Sequence, residues 1–295
     1  MNRHVMPWLK ENADQRFFLY VHYIDPHIPY SPPTHYRDDF SRDHGFVILN
    51  ERKELVGIDR YDAEIRYTDD GLDELVEALK ANGAWDNTIF LLTSDHGEEF
   101  FEHGVLGHGF SLYQGVIHVP LIFHGPGIPA GRRVEKPVQN VDLAATVLGL
   151  AEEKDGAQEL LFGDGQAFTK AFENSEWTKE SPYFLENEFG NDGRHNRSFV
   201  LNGVRSGPWK LVLTEENAYF PPSNPLYGRQ ALYNVVTDPD EKENRISDED
   251  QRARIEDLLA RLRSHAALLT ETGFRDIEPA ALSKDIETSL RALGY

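Results

Sequence analysis

The stretch Thr88–Glu99, TIFLLTSDHGEE, decides the fold class. Its first half is a nearly continuous run of β-branched, aromatic and leucine residues, which is typical of a strand buried on both faces in a parallel sheet. Val119–His124 is a second run of this kind. Apolar residues recur at helical spacing over Ile58–Leu79 and stop at Asn82-Gly83, which predicts a helix before the first run. Helices that alternate with buried strands predict an α/β layered core.

The C-terminal part of the chain has a different pattern of predicted secondary structure. Two short runs, Phe199–Val204 and Trp209–Leu213, predict antiparallel strands joined by a turn, and a helical pattern follows them. The apolar run Phe17–Ile24 predicts a strand near the start of the chain. We therefore expect an α/β core over residues 1–165 and a small α+β subdomain, with antiparallel strands and a closing helix, over residues 166–295.

Composition excludes several classes of function. The 295 residues carry a formal net charge of −20, which argues against nucleic acid as a partner because phosphate binding needs a basic face. The mean hydropathy is −0.53 and no apolar run approaches 18 residues, so we expect no membrane span. The chain has no cysteine, which excludes disulfides and thiolate chemistry. No secretory signal pattern opens the sequence, and the cellular compartment stays open.

Asp95 and His96 form the sharpest chemical motif, because they follow the C-terminal end of a predicted strand, where open α/β sheets place their ligands. A carboxylate beside an imidazole can bind a divalent cation, whereas an isolated pair of this kind is more often a polar turn. His108 lies between two glycines, where the backbone can approach a ligand closely. His27 lies in a proline-rich turn just past another predicted strand. His103 admits either a structural or a functional role.

These motifs resemble those of the sulfatases, within the alkaline-phosphatase-like superfamily. The resemblance runs in order along most of the chain, through FFLYVHYIDPHIPYSPP at residues 17–33, YDAEIRYTDDGLDELVEALKANGAWDNTIFLLTSDHGEEF at 61–100, GHGFSLYQGVIHVPLIFHGPG at 107–127, VQNVDLAATVLGLA at 138–151, VRSGPWKLV at 204–212 and LYNVVTDPDEKENR at 232–245. It implies an α/β sulfatase-like core, which is incomplete here, and a sulfuric ester hydrolase that cleaves a small-molecule or glycan sulfate ester.

The resemblance also implies roles for the individual residues. Asp95 and His96 match the positions that hold a divalent metal, Ca²⁺ or alternatively Mn²⁺. His27 resembles the histidine that contacts the sulfuryl group or protonates the leaving oxygen. His108 occupies the region in which many sulfatases use a lysine against the sulfate, so His27 and His108 are the expected catalytic residues.

Two family features are missing from the sequence. The sulfatase nucleophile is a formylglycine made from Cys or Ser in C/S-x-P-x-R, and neither this motif nor the early Asp-Asp strand occurs in the 295 residues. We therefore expect the C-terminal portion of a sulfatase, with an N-terminal half that is encoded separately or has been lost. Two alternatives stay open: a phosphate or phosphonate ester hydrolase of the same superfamily, suggested by His96 next to Asp95, and a catalytically inactive remnant.

Overall fold

A computed structural model describes residues 1–40, 48–49, 55–151, 165–173, 177, 182–189, 199–214 and 230–271. The described residues fall into two compact units. The first comprises residues 1–90 and 124–127, and the second comprises residues 91–123 and the described residues from 128 to 271. Helices and strands occur in both units, so the predicted mixed α/β class is confirmed.

Three helices build the first unit: α1 (Asn2–Asn12), α2 (Thr34–Asp39) and α3 (Ile58–Ala81). The predicted helix over 58–79 is confirmed and ends at Asn82, before Gly83 with φ of +71°. The α1 and α3 helices share an apolar cluster made of Val5, Leu9, Leu75, Leu79 and Ala84. Two short antiparallel strands, β1 (Ile48–Leu49) and β2 (Leu55–Val56), complete this unit.

The predicted strand over Phe17–Ile24 is wrong, because these residues form no strand. Alternate side chains of this segment nevertheless face the apolar cluster and the solvent. Phe17, Leu19 and Val21 pack against the α1–α3 cluster, whereas Phe18 and Tyr20 are 84% and 75% exposed. Burial of the side chains therefore alternates along this segment as in a strand. The segment is not a strand, because a strand also needs a neighbouring strand with which to form backbone hydrogen bonds.

Two of the predicted core strands are present in shortened form, β3 (Phe90–Thr93) and β6 (Leu121–His124), and they pair as a two-stranded sheet. The expectation that both faces of these strands are buried is wrong. All four β3 residues are only partly buried, and Ile122 of β6 is 53% exposed. Two strands alone do not provide the neighbouring strands and helices that bury a parallel sheet.

A short antiparallel hairpin lies between β3 and β6. Its strands are β4 (Glu99–Phe100) and β5 (Leu106–Gly107), and the one-turn helix α4 (Gln114–Ile117) follows. After β6, helices α5 (Leu143–Leu150) and α6 (Lys170–Glu173) pack around Phe168 and Phe172.

The C-terminal part of the second unit is a four-stranded antiparallel sheet in the order β10-β9-β8-β7. Its strands are β7 (Tyr183–Phe189), β8 (Phe199–Ser206), β9 (Trp209–Thr214) and β10 (Gln230–Asn234), and helix α7 (Arg252–Glu271) packs on one face. The two predicted strands and the closing helix are confirmed. The domain boundary at 165 stays a prediction, because residues 152–164 lie outside the described residues. Within the described ranges, no helix has the length and apolar character needed to cross a membrane.

Candidate functional site

Asp95 and His96 lie just beyond the end of β3, in the turn that the sequence predicts. The backbone N–H of His96 donates to Asp95 Oδ1 at 3.0 Å, and His96 Nδ1 donates to the Gly97 carbonyl at 2.8 Å. His96 Nε2 lies 3.8 Å from Asp95 Oδ2. Because Nδ1 carries the proton, Nε2 keeps its lone pair, and at this distance the nitrogen and the Asp95 carboxylate can ligate one cation.

The pair supplies only part of a metal site. Calcium takes about 6–8 oxygen ligands, and the described part of the chain contains no group of three or more His, Asp or Glu side chains arranged to hold a metal. The Asp95 side chain is 54% exposed, which leaves room for ligands from elsewhere. Asp95 and His96 therefore fit a divalent cation as two members of a larger ligand set.

His108 lies directly against this pair. Its ring stacks on the His96 ring with centroids 3.8 Å apart and an interplanar angle of 24°. His108 Nδ1 donates to Glu98 Oε1 at 3.0 Å, and the Glu98 side chain is almost fully buried. Gly107 and Gly109 on either side have φ of +92° and +81°, a backbone conformation that favours glycine. The structure thus brings three of the four predicted site residues together.

The fourth predicted site residue, His27, belongs to the first unit. Its Nδ1 donates to the Ile28 carbonyl at 2.6 Å, and its backbone N–H donates to the Ile24 carbonyl at 3.0 Å. The turn continues to Ser31, whose N–H donates to Glu64 Oε1 of α3 at 2.7 Å. Burial raises the pKa of Glu64 to about 7, with a further contribution from the nearby Asp25 charge.

Sequence reasoning missed Glu98 and Glu99. Both carboxylates are buried and face different partners, although only Glu99 belongs to β4 and Glu98 precedes it. Glu98 holds His108, whereas Glu99 accepts from His103 Nδ1 at 2.5 Å and from the Ser111 hydroxyl at 3.0 Å. The sequence does show two adjacent glutamates shortly after the Asp95-His96 motif, which could have drawn attention to them. It does not show which side chains these glutamates contact.

His103 has a different environment from that of His108. Its Nε2 donates to the Asp240 carbonyl at 3.0 Å, and its ring stacks on Tyr113 with centroids 3.6 Å apart. Burial lowers the pKa of His103, but the hydrogen bond and charge of Glu99 outweigh this effect, so that the pKa is raised overall. Because both ring nitrogens face acceptors, these contacts favour the protonated form of His103, which links the hairpin to the C-terminal segment.

Comparison with known proteins gives the context for this site. The sequence model of the Sulfatase family matches residues 3–153. Arylsulfatase K of Danio rerio is 42% identical over 91 residues, which cover 31% of this chain and 17% of that protein. The uncharacterized sulfatase YidJ of Escherichia coli is 27% identical over 274 residues, which cover 84% of this chain and 51% of that protein.

Solved structures agree with the sequence matches. The phosphonate monoester hydrolase of Agrobacterium radiobacter superposes with a TM-score of 0.67 at 24% identity, covering 89% of this chain and 60% of that one. BT4656, solved with its substrate D-glucosamine-2-N,6-O-disulfate, gives a TM-score of 0.56 at 23% identity, covering 75% of this chain and 41% of that one. These likenesses confirm the alkaline-phosphatase-like fold expected from the sequence.

The chain spans between about a sixth and a half of the length of these curated relatives. The family match nevertheless extends over half of the chain and contains Asp95, His96, His108 and His27. The chain belongs to the sulfatase family.

Proposed function

We propose that this chain carries the metal-binding and sulfate-binding residues of a sulfuric ester hydrolase. The observation that carries the proposal is the close grouping of Asp95, His96 and His108 at the end of β3, with His108 held by a buried glutamate. Membership of the sulfatase family supports hydrolysis of a sulfate ester as the reaction class.

The residues of the site divide the chemistry between them. Asp95 and His96 would hold a divalent cation, Ca²⁺ or Mn²⁺, which when bound stabilises the negative charge that develops on the ester oxygens. His108 hydrogen-bonds to the sulfate oxygens, and the carboxylate of Glu98 keeps its ring oriented. His27 keeps its predicted role as the histidine that contacts the sulfuryl group or protonates the leaving oxygen, which rests on the family resemblance.

The proposal includes a nucleophile from outside the 295 residues, since the sequence has no C/S-x-P-x-R motif from which a formylglycine is made. We propose that an N-terminal sulfatase segment, fused or separately encoded, supplies the nucleophile and the remaining metal ligands. Large apolar side chains are exposed in each unit, Phe18 and Tyr20 in the first and Ile122 in the second, and such exposed apolar side chains are compatible with docking of a further segment.

Two features bear on the substrate. BT4656 binds a sulfated glucosamine, which supports a sugar sulfate as the first substrate class to test. The Agrobacterium radiobacter neighbour is a phosphonate monoester hydrolase, and this likeness, together with the Asp95-His96 pair, supports phosphonate ester hydrolysis as the second candidate.

The test begins with the DNA upstream of the Met1 codon, read in every frame for an Asp-Asp strand followed by C/S-x-P-x-R. If such a segment is found, it is joined to the 295 residues. This restored protein is then assayed with p-nitrophenyl sulfate and with a p-nitrophenyl phosphonate, in the presence of Ca²⁺ or Mn²⁺. We expect sulfate turnover to exceed phosphonate turnover. The reverse order would favour the second candidate, and no turnover of either ester would support an inactive remnant.

A pair of variants tests whether the grouped residues carry the reaction. His108→Ala should lower kcat/KM by about 10²–10³-fold, as loss of a charge-stabilising donor does. His118→Ala is the matched control, because His118 is exposed and lies ten residues further along the chain. Equal activity of the two variants would contradict the proposed role of His108.

A further inference from the structure

Two motifs of the C-terminal segment meet in a buried ion pair that the proposed reaction does not use. Lys210 belongs to the VRSGPWKLV motif on β9, and Glu241 belongs to the LYNVVTDPDEKENR motif after β10. Their side chains form an ion pair, and both are completely buried. Buried charges of this kind are retained only where they are paired and hydrogen-bonded.

Both members of the pair also bind backbone groups of one short segment. Lys210 Nζ donates to the Leu112 carbonyl at 2.7 Å. The backbone N–H of Gln114 donates to Glu241 Oε2 at 2.6 Å. The ion pair therefore holds the backbone on both sides of Tyr113, where the loop that carries His108 ends and α4 begins.

Helix α4 is joined in turn to the segment that carries the metal-ligand pair. The N–H of Gly97 donates to the Val116 carbonyl at 2.7 Å, and the N–H of Glu98 donates to the Gly115 carbonyl at 3.1 Å. A Cβ atom at position 97 would lie 2.1 Å from the Gly115 carbonyl oxygen, so only glycine permits this approach. The backbone immediately after His96 is thus fixed to α4.

We propose that Lys210 and Glu241 are positioning residues for the sulfatase site. Acting through the backbone of residues 112–116, the pair fixes the metal-ligand segment on one side and the end of the His108 loop on the other. This inference rests on the proposed function, because it assigns the C-terminal segment a part in holding the same site.

The fact that Lys210 and Glu241 are charged favours a role in positioning the backbone over a role in packing alone. Replacing a buried ion pair by apolar side chains of similar volume is often neutral or stabilising, so stability alone does not require one. Apolar side chains cannot provide the donor for the Leu112 carbonyl or the acceptor for the Gln114 N–H. What the pair adds to packing is therefore directional control of the backbone.

The test replaces the pair by methionine in the 295-residue chain, as Lys210→Met together with Glu241→Met. The matched control is the neighbouring exposed pair, Lys242 and Asp240, whose charged atoms are 2.7 Å apart, changed to methionine in the same way. Two quantities are measured on each protein: amide hydrogen exchange by NMR, and the affinity for MnCl₂ by titration calorimetry.

We expect exchange at the Gly97, Glu98 and Gln114 amides to accelerate at least about tenfold in the buried-pair variant. The Leu232 amide, which donates to Asn244 Oδ1 at 3.0 Å, is the internal reference and should stay protected. The dissociation constant for Mn²⁺ should rise about 10–100-fold, the usual effect of removing a residue that orients metal ligands. The exposed-pair control should change neither quantity.

Uniform acceleration that includes Leu232 would show a general stabilising role and overturn the proposal, as would unchanged exchange at Gln114. If the double variant does not fold, Glu241→Asp keeps the negative charge beside Lys210 but withdraws the carboxylate from the Gln114 N–H, and the same comparison of Gln114 with Leu232 gives the decision. A wild-type chain that binds no Mn²⁺ would show that the metal site needs the ligands of the proposed N-terminal segment, and the exchange pattern would still decide whether the pair positions the backbone.

Discussion

The imidazole rings of His96 and His108 stack face to face with their centroids 3.8 Å apart. Two adjacent residues hold them in this arrangement: His96 Nδ1 donates to the Gly97 carbonyl and His108 Nδ1 donates to the Glu98 carboxylate. One dipeptide therefore orients a metal-type ligand and the histidine proposed to bind sulfate. Any displacement of residues 97–98 should move both rings together.

Replacing Glu98 by glutamine should preserve most of the activity, whereas replacing it by alanine should not. Glutamine retains an oxygen that accepts from His108 Nδ1, whereas alanine removes the acceptor and leaves a gap beside the ring. We expect Glu98→Ala to lower kcat/KM of the restored enzyme for p-nitrophenyl sulfate by about 10–100-fold. Glu98→Gln should recover most of this loss, and equal loss in both variants would show that charge matters more than orientation.

Gly97 should tolerate no side chain. A Cβ atom there would lie 2.1 Å from the Gly115 carbonyl oxygen, so Gly97→Ala has to break the contact with α4, at a cost of roughly 1–3 kcal/mol. Gly71 in the middle of α3 is the control, because a Cβ atom there meets only ordinary contacts at 3.4 Å and 3.5 Å. Gly71→Ala should stabilise the chain by about 0.5–1 kcal/mol. Urea denaturation measures both changes, and a stable Gly97→Ala protein would contradict the close approach.

The sequence predicts the parts of the fold that local pattern controls. The α3 helix, the β8 and β9 strands and the closing helix follow from hydrophobic periodicity and turn residues, and all are present. The Phe17–Ile24 run has the right alternation, but a strand also needs a partner strand, which a local pattern does not reveal.

The candidate site shows the same division. Asp95, His96 and His108 can be identified from short stretches of sequence: Asp95 and His96 follow a predicted strand, and His108 lies between two glycines. The contribution of Lys210 and Glu241 is not, because contacts 98 and 127 residues apart in sequence join them to the His108 loop. Such long-range polar contacts become visible only once the chain has folded.

His103 should make stability depend on pH in a definite direction. Although burial lowers its pKa, the Glu99 carboxylate raises it overall, and the Glu241 charge acts in the same sense. The stabilisation is therefore fully present below the unfolded pKa of about 6.5 and is lost as the pH rises through the higher folded value. In urea denaturation at pH 6, 7.5 and 9, the stability difference between wild type and His103→Ala should shrink as the pH increases. His118→Ala, at an exposed histidine, is the control for replacing a histidine by alanine.

Glu64 should make the stability of the first unit depend on pH. Burial raises its pKa from 4.5 to about 7, while its acceptor bond from the Ser31 N–H opposes this and the Asp25 charge adds to it. Because the folded pKa is the higher one, the contribution of Glu64 is most favourable below pH 4.5 and is lost as the pH rises through about 7.

Glu64→Gln tests this directly, since the amide stays uncharged at every pH and its oxygen can still accept from Ser31. Relative to this variant, wild type should lose up to about 1.4 kcal/mol of stability per pH unit between pH 5 and pH 7. The variant should consequently be the more stable protein at pH 8. Asp73→Asn, at an exposed position of the same helix, is the control and should leave the wild-type pH profile unchanged. Parallel profiles for Glu64→Gln and wild type would mean that Glu64 ionises normally, and that the turn bearing His27 is held by an ordinary carboxylate.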